Sequence, residues 1–186
     1  MAKVLVLLSG GIDSLVVAEH YHQLDLLAGC VFVDYGHPAQ VKEGWKAFAY
    51  CGSRGVPLKA VHAFGLDLGD MASEAGARVV PHRNATLVSL AANAAASLGA
   101  EAVALGACGA DQRDYPDCRR AFFDALQEAL GIDVLTPLVG MSKPDIIAKA
   151  QAMGLTRADA WSCYLGGPTE CGACPSCIEA EKAWRS

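Results

Sequence analysis

The chain is poor in the features that would take it to a membrane or to nucleic acid. Its 186 residues contain no run of about 18 or more strongly apolar side chains, the length a bilayer helix needs. The nearest stretch, Ala85 to Ala100, is mostly alanine with Ser and Asn. No secretory leader is expected in the opening run. The opening run MAKVLVLL is broken by Ser9, Gly10, Gly11 and Asp13, which reads as a strand and a turn. Charged residues make up 19%, with no basic excess: 15 Lys and Arg face 20 Asp and Glu, a net charge of −5. That balance argues against a direct nucleic-acid interface, which shows a basic face. The 53% apolar share excludes a disordered chain. The expectation is one ordinary domain, with no membrane association and no export.

Eight cysteines are present. Without an export signal, reduced thiols in a cytoplasmic protein are the simpler reading than disulfides. Cys30, Cys51, Cys108 and Cys118 are scattered, whereas Cys163, Cys171, Cys174 and Cys177 crowd the last two dozen residues. The spacing C-x7-C-x2-C-x2-C lets four thiolates converge on one ion, and Gly172 permits the tight turn of a knuckle. Four thiolates match a closed structural Zn²⁺ site, one per chain. An iron–sulfur cluster is the competing reading, but its usual downstream Cys-Pro is missing. These residues define a small C-terminal zinc-binding segment, 161–186, after a main domain over 1–160.

In that main domain short apolar runs alternate with helical patterns. Strands are expected at Lys3 to Leu8, Gly29 to Asp34, Leu58 to His62, Ala102 to Gly106 and Val134 to Pro137. Helices are expected at Ser14 to Leu24, Gln40 to Ser53, Arg83 to Leu98, Arg119 to Leu130 and Pro144 to Met153. Strand then helix, repeated, specifies an α/β fold: an open parallel sheet with helices on both faces. Ligands of such sheets sit beyond the carboxyl ends of the strands.

The first strand runs into Leu8-Ser9-Gly10-Gly11-Ile12-Asp13-Ser14. Two glycines let the backbone approach a ligand, the helix start offers free N–H groups, and two serines add hydroxyls. This describes a phosphate cradle. A plain turn in which Asp13 and Ser14 cap the helix is the bland alternative. No Lys follows the glycines, as a Walker loop requires, and the dinucleotide fingerprint lacks its third glycine. The hexapeptide Ser9 to Ser14 resembles the PP-loop ATP pyrophosphatase superfamily. That resemblance implies ATP as substrate, cleaved between the α- and β-phosphates, with Asp13 helping to hold Mg²⁺ directly or through water. Asp34, with Tyr35 and Gly36, ends the second strand beside this loop and is a candidate for the adenosine part, or simply a turn. Lys143, at a helix start, is a candidate to neutralise departing phosphates, or a mobile surface lysine.

One branch of that superfamily is similar over most of the chain. Ser9 to Ser14, Asp34-Tyr35-Gly36, Val80 to Asn84, Tyr115 to Arg119, Pro137-Leu138 with Lys143, and Trp161-Ser162-Cys163-Tyr164 continuing into Cys171 to Cys177 resemble, in order, the 7-cyano-7-deazaguanine synthase family. The resemblance implies a ligase that converts 7-carboxy-7-deazaguanine, ammonia and ATP into the nitrile, and a homodimer. Asp111, Asp114 or Asp117 would accept from a guanine-like edge. Arg83 or Arg119 would pair with carboxylate or phosphate. The chain departs from the family pattern at Val61 to Val79, which is short, at Leu87, and at Ala110 to Asp114. Two further enzymatic readings therefore stand: a related enzyme that stops at the amide or uses another acceptor, and a tRNA sulfur transferase using Cys108. A zinc-ribbon interaction module is the non-enzymatic reading.

Overall fold

The computed structural model describes residues 2–66, 68, 80, 82–109, 112 and 115–185. Among them, five strands form one parallel sheet: β1 (Val4–Leu7), β2 (Leu27–Asp34), β3 (Leu58–His62), β4 (Ala102–Ala104) and β5 (Asp133–Leu135), in the order β3-β2-β1-β4-β5. Six helices cover it: α1 (Ile12–Gln23), α2 (Gln40–Arg54), α3 (Arg83–Ser97), α4 (Arg120–Leu130), α5 (Lys143–Ala152) and α6 (Pro175–Arg185).

The pleat of β1 explains why it is apolar throughout. Val4, Val6 and Leu8 point into one core with Leu15 of α1, Ala47 of α2 and Ile146 of α5, whereas Leu5 and Leu7 point into the other with Val88 of α3 and Phe123 of α4. A strand covered on both sides has no polar face to alternate. The expected α/β class with helices on both faces is what the chain adopts. Between β1 and β4 the strand order reverses, which opens a crevice at their carboxyl ends.

Several boundaries differ from the sequence expectation. Helix α1 starts two residues earlier, at Ile12, and β2 begins at Leu27. Strand β4 keeps only three residues in the ladder. Helix α5 starts at Lys143, where Ser142 and Asp145 form a reciprocal capping box. Helix α6 was not expected. Its buried side is Cys177, Ala180 and Ala183, small residues whose periodicity is faint, and Ala183 joins the main core. Among the described residues no helix is long and apolar enough to cross a membrane.

Phe123 is fully buried and meets Phe122 edge-on, with ring centroids 5.6 Å apart. Phe123→Ala is expected to lower unfolding stability by ~3–5 kcal/mol, read from the urea midpoint at unchanged slope.

Candidate functional site

The turn after β1 is held in its shape by a glycine and by hydrogen bonds within the loop. Gly10 has φ +80°, and a Cβ there would collide with the carbonyl of Glu43 in α2, so only glycine fits. Gly11 is the residue before α1, and no side chain caps that helix. Ser14 is occupied within the loop: its hydroxyl donates to the Gly11 carbonyl (2.9 Å) and accepts from the Ser9 amide (3.1 Å). Asp13 does not cap either. Its Oδ2 accepts from Lys143 Nζ at 2.7 Å. Burial alone would lower the Lys143 ammonium, but the Asp13 carboxylate more than offsets this and the net shift is upward. The loop thus presents backbone N–H groups at a positive helix end, beside a fixed cation.

The loop opens onto a cavity of ≈ 290 Å³. Leu8, Ser9, Gly11, Ile12, Asp13 and Ser14 form one wall with Lys143 of α5 and Gly106 after β4. Tyr35 and His37 from the β2 exit, Glu43 of α2, and Arg83 and Asn84 of α3 form a second. Arg83 hydrogen-bonds Tyr35. Burial opposes its charge, but Tyr35, Tyr164 and Asp117 around it shift the guanidinium upward, so it stays a cation. A third wall comes from the C-terminal segment: Trp161, Ser162, Tyr164, Ser176, Glu179 and Trp184.

Other candidates lie elsewhere. Asp34 does not line the cavity. Its carboxylate accepts from the Gly36 amide (3.1 Å) and pairs with His62 Nδ1 (3.4 Å), and Tyr35 takes the cavity position. Asp117 receives the Asn84 amide (3.4 Å), and Arg119 donates to the Gln112 carbonyl (3.1 Å). Both are outside the lining. Asp111 and Asp114 fall outside the described residues. Cys108 is 1% exposed and does not line the cavity.

Cys163, Cys171, Cys174 and Cys177 converge: one sulfur from each lies within 4.8 Å of the others, and Cys171 Sγ is 3.9 Å from Cys177 Sγ. A tetrahedron with ~2.3 Å metal–sulfur bonds has edges of ~3.8 Å, so the four thiolates fit a closed metal site. The amides of Ala173 and Cys174 point at Cys171 Sγ and push its thiol down to about 6, which favours the ligating thiolate. This knuckle is tied to the Ser9–Ser14 loop. Trp161, two residues before the first ligand, donates its amide to the Gly10 carbonyl (3.0 Å), and its indole donates to the Cys163 carbonyl (2.7 Å). At Gly166, with φ +64°, a Cβ would strike the Pro38 carbonyl, which packs the segment onto the β2 exit.

Comparison with known proteins agrees with this geometry. A family model described as queuosine biosynthesis protein QueC matches residues 66–186. A protein named 7-cyano-7-deazaguanine synthase from Rhizobium etli is 36% identical over 207 aligned residues, 98% of this chain and 87% of its own length. The chain belongs to this family. Two solved structures share the fold at low identity. NMN synthetase from Francisella tularensis superposes with TM-score 0.61 at 16% identity, covering 92% of this chain and 71% of its own. The U34-tRNA thiolase NcsA from Methanococcus maripaludis, solved with its [4Fe-4S] cluster, gives 0.53 at 17%, covering 98% and 63%.

Within the family frame, the sequence reading missed Glu43, Glu179 and Trp184. Each sits on a helix whose pattern says only "surface", and their common direction appears only once α2 and α6 meet at the crevice. Because Trp161 bridges loop and knuckle, treating the protein with a chelator, which would empty the four-cysteine site, is expected to weaken a non-hydrolysable ATP analogue about tenfold by calorimetry, roughly one hydrogen bond with its contacts.

Proposed function

We propose that the chain is an ATP-dependent carbon–nitrogen ligase that converts 7-carboxy-7-deazaguanine and ammonia to 7-cyano-7-deazaguanine. The observation that carries this is one cavity joining the Ser9–Ser14 loop, the Asp13–Lys143 pair and the Arg83 cation. A carboxylate is a poor electrophile, so it must first be joined to a nucleotide phosphate. The backbone N–H groups of the loop bind and orient the phosphates, and Lys143 neutralises charge as pyrophosphate departs. Asp13 is the residue that would hold Mg²⁺, a carboxylate oxygen joined by phosphate oxygens and water as that ion prefers. When bound, Mg²⁺ supplies further neutralisation of the phosphates. Arg83, fixed by Tyr35, is suited to a carboxylate or phosphate by its planar pair of donors. Ammonia then gives the amide, and a second activation of the amide oxygen gives the nitrile.

Residues 161–186 act as a zinc-stapled segment, held through four cysteines, on a nucleotide-binding domain, 1–160. Four thiolates leave no open position, so the ion holds structure. Val41, Trp45 and Phe48 form an exposed apolar stripe on α2, each more than 60% accessible, and support a homodimer. Thiols without a disulfide at all eight cysteines suit a reducing cytoplasm.

Mixing the protein with Mg-ATP, ammonium and 7-carboxy-7-deazaguanine should give the nitrile by mass spectrometry. Asp13→Ala should slow it ~100-fold or more. An amide end-point, or no nucleotide cleavage with this acceptor, overturns the assignment. Metal analysis should find about one zinc per chain, and brown protein with labile sulfide would reverse the metal assignment. Sedimentation should show a dimer that Trp45→Glu dissociates.

A further inference from the structure

The ligase reading sets a proton problem. Nitrogen enters as ammonia with three hydrogens and leaves as a nitrile with none. In the first stage the acyl-adenylate and ammonia form a C–N bond, the C–O bond to AMP breaks, and one proton departs. In the second, the amide oxygen bonds to the α-phosphorus of another ATP and pyrophosphate leaves. The C–O bond then breaks with AMP leaving, and both remaining N–H protons depart. A base must stand beside the reacting carbon.

Several ionisable groups of the cavity are committed elsewhere. Asp13 is paired with Lys143, and Arg83 and Lys143 are cations. His37 is different. It is 3% exposed, and its ring is stacked on Tyr35 with centroids 4.4 Å apart. Its Nε2 lies 2.8 Å from Glu43 Oε2, while Nδ1 is buried with no hydrogen-bond partner among the described residues. The Glu43 carboxylate selects the tautomer in which Nε2–H donates, leaving the Nδ1 lone pair open. Buried ring nitrogens without a partner are rare in folded proteins, and a catalytic role is one physical reason for keeping one. Both side chains line the cavity.

We propose that His37, oriented by Glu43, is the general base that strips the nitrogen: Nδ1 accepts the proton, and the Glu43 carboxylate stabilises the imidazolium until water removes it. This rests on the ligase reading. The groups around the pair are Tyr35 from the β2 exit, Arg83 from α3 and Tyr164 from the C-terminal segment, with Asp13 and Lys143 across the cavity. Glu43 is a positioning residue. Its backbone also buttresses Gly10, so a side-chain change leaves the loop contact intact.

The test separates the stages that need a base from the one that does not. Exchange of labelled pyrophosphate into ATP, dependent on the carboxylate substrate, reports adenylation and moves no N–H proton. His37→Gln is expected to keep this exchange within about threefold while amide and nitrile formation fall ~10²–10⁴-fold. Glu43→Gln should show the same split with a smaller loss. Free imidazole should restore part of amide formation to His37→Ala, which also serves if the glutamine variant does not fold. Parallel loss of exchange and amination would make His37 a structural residue, and loss of neither would put the base elsewhere. If the wild-type protein shows no carboxylate-dependent exchange, the ligase reading itself fails, and the base with it.

Discussion

Gly10 is where three distant parts of the chain meet. Its Cα lies against the Glu43 carbonyl of α2, and its own carbonyl accepts the Trp161 amide from the C-terminal segment. Any side chain at this point would push α2 away and open the turn. The contact fixes the direction in which the N–H groups of the loop point. It also explains why the cavity has one wall from each of those parts.

The sheet order supplies the place for that contact. β1 is central and covered on both sides, so the residues at its carboxyl end are held by two cores at once. The reversal between β1 and β4 leaves a crevice there, and the helices that begin beside it, α1, α3 and α5, bring the loop, Arg83 and Lys143 to its rim. The C-terminal segment closes the open side. It is anchored by Ala183 in the main core and by Arg157, which bonds Glu170 and Glu181. The four-cysteine cluster and the glycine turn are therefore linked: Cys163 is held by the same short stretch that bonds Gly10.

Charge within the cavity is arranged in two opposed groups. Lys143 and Arg83 provide fixed positive charge at the cavity, and each is kept protonated by an oxygen partner. His37 and Glu43 are hydrogen-bonded to each other, and the second ring nitrogen of His37 is buried without a partner among the described residues. Tyr35 stands between the two groups: it hydrogen-bonds Arg83 on one side and stacks on His37 on the other.

The amino-acid sequence by itself determined the α/β class, the glycine turn after the first strand and the four-cysteine cluster. Each depends on residues close in the chain, where spacing alone dictates geometry: alternating apolar runs, a glycine pair after a strand, and two-residue gaps between cysteines. The strand order, the helical form of Pro175–Arg185 and the composition of the cavity wall were decided only by tertiary structure. Helix α6 carries its buried side on Ala and Cys, too weakly apolar to announce a helix before α5 packs on it. Asp34 and Tyr35 are neighbours in sequence, but the extended backbone sends them to opposite sides, so tertiary packing chose the tyrosine for the cavity. His37 looked isolated because its partner is a turn into the next helix, and a hydrogen bond across that gap exists only once the chain has folded around Gly10.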